Sequence, residues 1–258
     1  MPWLNTLLAA IEDSASRGEP VAVIRALYMA SGKKITATVS KGELFPPITD
    51  RRITEKVLAA VDSLTAKGGI ADLVDATDEQ GSLVRLAIEI VRPKFELVVF
   101  GGGHVGQAVA LIGALTGYDV TVIDDREEFA SRSRLPDPRI RLLVSDYDSA
   151  AAKLNITAST AVVIVTRGHQ YDEVCLKKVI GSQARYIGMI GSRRRVMSVF
   201  KKLAGEGFSE RDLKRVHAPI GLRIGAVSPQ EIGVSILAEI IAHLNNCGHE
   251  YKGERNAI

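Results

Sequence analysis

Gly101, Gly103 and Gly106 stand in the order G-x-G-x-x-G, with Gly102, His104 and Val105 filling the turn and Asp124, Asp125 and Arg126 following further on. Glycines at this spacing suit phosphate binding. The first permits a tight turn, the second lets the backbone approach an anion, and the third lets a helix pack close against the strand before it. The helix start supplies free N–H groups and the positive end of a dipole. Asp124, eighteen residues after Gly106, lies where a carboxylate would accept hydrogen bonds from a ribose diol.

Two further polar runs could face this turn. One is Thr166-Arg167-Gly168-His169-Gln170-Tyr171-Asp172, and the other is Gly191-Ser192-Arg193. His104 and His169 could ligate a metal or relay protons, or could simply fill space and hydrogen-bond. Asp125 and Arg126 could hold a ligand or pair with each other and with neighbours. Arg193 stands nearest a strand end, where a guanidinium and helix N–H groups can meet a phosphate together. Arg194 and Arg195 read as a solvated helix face and part of a docking surface for an acidic partner, since nine Lys or Arg against three Asp or Glu lie between 193 and 223.

The elements that must position these residues follow from the pattern. Phe95–Phe100 is an apolar run suited to a buried parallel strand, and Val105, Val109, Ile112 and Leu115 continue at helical spacing until Gly117. Strands are predicted at 120–123, 140–144, 161–165 and 186–190, with Asp172 beginning a helix and another helix running through Leu203. Ser228-Pro229-Gln230-Glu231 is a capping box that opens a last long helix to about Asn246. Alternation of this kind predicts a doubly wound parallel sheet of Rossmann type over 93–246. Ligands there sit at the carboxyl ends of the strands, between the first strand and the fourth.

Ahead of it, a helix over 3–16, strands at 21–30 and 34–39, a helix around 53–64 and a strand at 83–91 predict a small α+β domain over 1–92, bounded by Arg92-Pro93-Lys94. Residues 247–258 read as a polar tail.

The bulk composition is that of an ordinary globular chain, 46% hydrophobic and 24% charged over 258 residues. A net charge of +3 does not argue for nucleic acid. No apolar run has the length of a membrane span, and the first residues lack the order of a signal peptide, so a cytoplasmic protein is expected. Cys175 and Cys247 form no C-x-x-C pair, which leaves buried thiols as the expectation.

Phe100-Gly-Gly-Gly-His-Val-Gly, Val122-Ile-Asp-Asp-Arg126, Thr166 to Asp172, Tyr186-Ile-Gly-Met-Ile-Gly-Ser-Arg193, and Ala218-Pro-Ile-Gly-Leu-Arg-Ile-Gly-Ala226 with Ser228-Pro-Gln-Glu-Ile232 together resemble the carboxy-terminal Rossmann domain of the XdhC/CoxI family. The resemblance runs in order from about Leu97 to Leu244. It implies an accessory factor for xanthine dehydrogenase, carbon monoxide dehydrogenase or related molybdenum hydroxylases. Such a factor binds the molybdenum cofactor, as molybdopterin or its dinucleotide form, and assists its sulfuration and insertion. The implied partners are the apoenzyme and a sulfurase, with the factor itself a homodimer and a non-catalytic chaperone rather than an enzyme. Residues 1–92 depart from the family by lacking its Gly-Ser-x-Pro-Arg and Gly-Gly-Cys segments and any cysteine. The glycine turn with Asp124 also fits two other readings, an NAD(P)-dependent oxidoreductase and a nucleotide-sensing regulatory module.

Overall fold

The computed structural model describes residues 2–92 and 94–245. The expected polar tail, Cys247 and Asn246 lie outside them. The chain divides into two compact units, Met1–Pro93 and Lys94–Ile258.

The first unit contains α1 (Pro2–Ser16), β1 (Val21–Tyr28), β2 (Lys34–Ser40), β3 (Glu43–Phe45), α2 (Arg51–Ala66), β4 (Ala71–Thr77) and β5 (Leu83–Val91). Its strands form one antiparallel sheet in the order β3-β2-β1-β5-β4. Alternation in β5 buries Val84, Leu86, Ile88 and Ile90 against Ile53, Val57, Val61 and Leu64 of α2. Asp50 caps α2 by accepting the Ile53 N–H at 2.9 Å. The expected strands and helix are present, while β3 and β4 are additional. Only Ala76 of β4 is buried, so that strand carries no alternating apolar signal.

The second unit runs β6 (Glu96–Phe100), α3 (His104–Leu115), β7 (Asp119–Asp124), β8 (Arg141–Val144), α4 (Tyr147–Lys153), β9 (Thr160–Ile164), α5 (His169–Val179), β10 (Tyr186–Met189), α6 (Arg193–Gly205), α7 (Glu210–Lys214), β11 (Val216–His217) and α8 (Pro229–Leu244). All its strand pairs are parallel, in the order β11-β10-β9-β6-β7-β8. A parallel sheet buries both faces, which is why β6 and β9 are almost continuously apolar. Val98, Phe100, Val162 and Ile164 face α4, α5 and α6, whereas Leu97, Val99, Ala161 and Val163 face α3 and α8.

This is the doubly wound architecture that the alternation predicts, with β6 and β9 adjacent at the reversal of strand order. Three expectations are corrected. Asp172 lies inside the first turn of α5 and does not begin it, because Gly168 is the N-cap. The sheet has a sixth strand, β11, too short to show a period. Helices α4 and α7 are additional to the expected elements, although Asp146 caps α4 through the Ser149 N–H at 2.8 Å and Ser209 with Asp212 forms a capping box on α7. The capping box of Ser228 and Glu231 forms as expected, with Pro229 at the start of α8. Among the described residues no helix is long and apolar enough to cross a membrane.

Candidate functional site

The glycine turn joins β6 to α3 at the carboxyl edge of the sheet. Gly101 has φ +109°, and a Cβ there would meet the Val165 carbonyl oxygen at 2.5 Å, so the turn and the end of β9 touch. A Cβ on Gly106 would run into the Gly101 carbonyl, which is the close helix–strand approach expected of the third glycine. Gly103 differs from both. It is the N-cap of α3, with φ −67°, and a Cβ on it would meet nothing within 4 Å. Open space thus lies directly before the first turn of a twelve-residue helix. His104 opens that helix and is exposed, and Val105 packs inward against the core.

Asp124 ends β7 fully buried. Its carboxylate accepts the Gly102 N–H at 2.9 Å, the Arg126 N–H at 3.1 Å, and Arg126 Nε and Nη2 at 2.9 and 3.1 Å. Burial alone would raise its pKa, but the Arg126 guanidinium and these N–H groups outweigh burial and hold it below the usual carboxylate range. Arg126 also lies over the Phe129 ring, and the Phe129 carbonyl packs against Gly102. Asp124 therefore braces the glycine turn from below.

Asp125 pairs with a different loop. Arg167 Nη1 and Nη2 donate to its two carboxylate oxygens at 2.6 and 2.8 Å. Nη2 also donates to Tyr171 Oη at 2.7 Å, and the guanidinium lies over the Tyr171 ring. This bidentate bridge joins the end of β7 to the end of β9, past the end of β6 between them. Next to it sits Tyr147, on α4, 3% exposed and edge-on to both Phe100 and Tyr171. Its hydroxyl has no hydrogen-bond partner among the described residues. Burial, then the carboxylates of Asp124 and Asp125, push the phenol pKa up, so it remains a proton donor.

Deeper in the loop, Asp172 is fully buried. Thr166 donates its backbone N–H at 3.2 Å and its hydroxyl at 2.5 Å to Asp172 Oδ1. The other oxygen pairs with Arg195 of α6. Arg195 is thus a structural cation that ties α6 to α5, which corrects its expected place on a solvated docking face. Arg194 is exposed, as expected. Ser192 caps α6 by accepting the Arg195 N–H at 3.3 Å. Arg193, beside Gly191, opens α6 exposed, with no ion pair among the described residues. His169 opens α5, but its side chain lies outside the described residues. Among the described residues no three His, Cys, Asp or Glu gather as metal ligands would. Cys175 is buried, and burial foremost raises its thiol pKa.

Reasoning from sequence misses Tyr147 and underrates Arg195. The one available signal for Tyr147 is its place directly after the capping Asp146.

Residues 97–240 match the XdhC Rossmann domain family. The chain is 30% identical over 247 residues to the Escherichia coli protein YqeB, covering 93% of this chain and 43% of YqeB. It is 30% identical over 154 residues to a Bacillus subtilis protein described as a probable xanthine dehydrogenase component, covering 60% of this chain and 44% of that protein. It is 25% identical over 149 residues to the E. coli molybdenum cofactor insertion chaperone PaoD, covering 58% and 40%. The chain therefore spans less than half the length of the curated relatives it matches. A Bacillus halodurans crystal structure described as a xanthine dehydrogenase shares the fold at TM-score 0.63 and 21% identity, covering 94% of this chain and 68% of that one.

Proposed function

The chain belongs to the XdhC family, and from that membership and the geometry of its glycine turn we propose that it is a maturation factor for a molybdenum hydroxylase, holding the molybdenum cofactor by its phosphate. The single observation that carries this reading is the pairing of Asp124. A dehydrogenase of this fold keeps the corresponding carboxylate free for the ribose diol. Here that carboxylate is buried and fully engaged by Gly102 and Arg126, while the anion-seeking features beside it stay open. A phosphate fits the residues present: the space before Gly103, the first N–H groups of α3, and the exposed guanidinium of Arg193.

The relatives support the same direction, one being named a molybdenum cofactor insertion chaperone and another a probable xanthine dehydrogenase component. In this role the bound cofactor supplies the molybdenum centre on which the client's hydroxylation depends. The chain's own residues bind the phosphate, orient the group at the sheet edge and shield it until transfer. The partners we assign are an apo molybdenum hydroxylase and a sulfurase, with the factor acting in the cytoplasm as a homodimer without chemistry of its own.

The test is to titrate the purified protein with molybdenum cofactor, NAD and NADP, and to follow activation of an apo molybdenum hydroxylase by the loaded protein. Saturable cofactor binding with transfer is expected. Saturable NAD binding without retention of cofactor would overturn the proposal in favour of the oxidoreductase or nucleotide-sensing reading.

A further inference from the structure

Two oppositely charged residues at the mouth of the crevice, Asp125 and Arg167, engage each other with both oxygens and both terminal nitrogens. The guanidinium is planar and matches a phosphate in the same bidentate way that it matches a carboxylate. It is rooted one residue from Thr166, whose backbone lies against Gly101, so the guanidinium springs from the strand end that adjoins the glycine turn. A third of the Arg167 side chain and a quarter of the Asp125 side chain remain exposed, so an entering anion can reach the pair.

A second, independent feature lies directly beside this bridge. The buried hydroxyl of Tyr147 lacks a partner in the arrangement seen, although a buried O–H normally has one. The carboxylates of Asp124 and Asp125 act on it electrostatically, as does Arg167. Asp124 already accepts four hydrogen bonds. Departure of Arg167 would leave Asp125 with only the longer approach of Arg126 Nε at 3.9 Å, so it is the acceptor that opens. The unused donor and the displaceable acceptor are therefore complementary.

We propose that Arg167 is a second phosphate-gripping guanidinium of the crevice, beside Arg193, and that Asp125 holds it in reserve: a phosphate ester displaces Asp125 from the guanidinium, and the Tyr147 hydroxyl then donates to the opened carboxylate. This rests on the reading of the crevice as a phosphate site and assigns Asp125 a role opposite to that of a ligand-binding carboxylate. Asp125 competes with the ligand, and affinity is set by the difference between two bidentate pairs. Arg126 stays on Asp124 throughout and keeps the turn braced. The same chemistry would accept the terminal phosphate of molybdopterin or the pyrophosphate of a nucleotide.

The experiment is isothermal titration of the full chain with three probes, inorganic pyrophosphate, cytidine diphosphate and isolated molybdopterin, each against the parent, Asp125→Asn, Arg167→Ala, Tyr147→Phe and the double variant Asp125→Asn/Arg167→Ala. Thermal melting controls for folding, and Arg167→Lys gives a second variant that keeps the charge and loses the fork. Asp125→Asn should tighten binding roughly three- to tenfold, Arg167→Ala should weaken it at least tenfold, and Arg167→Lys should fall between Arg167→Ala and the parent. Tyr147→Phe should weaken binding several-fold without lowering the melting temperature. The double variant should bind no better than Arg167→Ala.

A gain from Asp125→Asn that persists without Arg167 would reduce the effect to simple loss of a negative charge and overturn the proposal, as would absence of binding by every probe to both the parent and Asp125→Asn. Preference for molybdopterin over cytidine diphosphate identifies the pterin phosphate as the source, and the reverse identifies a nucleotide. If pyrophosphate and cytidine diphosphate behave as expected but molybdopterin does not bind, the maturation role fails and the Arg167 assignment stands. If molybdopterin binds and ignores all these substitutions, the Arg167 assignment fails and the maturation role stands.

Discussion

Arg195 at the start of α6 forms an ion pair with Asp172 in the first turn of α5, joining the loops that follow the neighbouring strands β9 and β10. The Asp172 side chain is entirely buried and that of Arg195 is 20% exposed, so the pair lies beneath the crevice rather than on the surface. It joins the Thr166 loop and the Gly191 turn into one platform.

Breaking a buried pair from one side costs up to about 3–5 kcal/mol, because the remaining charge loses its counterion even though Thr166 still donates to Asp172. Arg195→Ala should lower stability by that order in urea denaturation, while Arg194→Ala, on the exposed side of the same turn, should change it by less than about 0.5 kcal/mol. Equal losses at the two positions would return Arg195 to the helix surface.

The glycines separate binding from folding. Gly103→Val should leave the circular dichroism spectrum and melting temperature close to the parent's, since open space receives the side chain, yet abolish binding of phosphate-bearing ligands. Gly106→Ala should instead lower the melting temperature sharply, because its methyl group would collide with the Gly101 carbonyl. The pair of melting curves and titrations distinguishes the two roles.

For Asp124 the expected loss falls on the fold. Asp124→Ala strips the Gly102 N–H and the Arg126 guanidinium of their acceptor, and hydrogen bonds involving charged groups contribute about 1.5–3 kcal/mol each. Denaturant midpoints should fall markedly. An unchanged stability accompanied by lost NAD binding would restore the ribose-binding role.

Acid sensitivity has a source far from the crevice. His243 of α8 packs edge-on against Tyr186 and His217, and burial foremost holds its pKa below the ordinary 6.5. The unfolded chain therefore takes up a proton at higher pH than the folded one. His243 contributes its full stability above about pH 6.5 and loses it progressively as pH falls toward its folded pKa. Melting temperature measured between pH 8 and 5 should decline more shallowly in His243→Gln than in the parent.

The sequence by itself determined strands β6 to β10 and helices α3, α5, α6 and α8 of the second unit, the glycine turn, the cap of α8 and the family resemblance. Each is written locally: apolar runs four or five residues long, glycines at fixed offsets, and Ser228 three positions before Glu231. Strands β4 and β11 escaped because one has a single buried side chain and the other has two residues. Only the tertiary structure decided which charges meet. Asp125 and Arg167 are 42 residues apart, and Asp172 and Arg195 are 23 apart. Spacing along the chain says nothing of such pairs, because they form only once the sheet order β10-β9-β6-β7 brings those strand ends side by side. For the same reason Asp124 reads from sequence as a free carboxylate. Burial at the end of β7 gives it a low-dielectric site and a neighbouring guanidinium, and a charge in such a place must be paired.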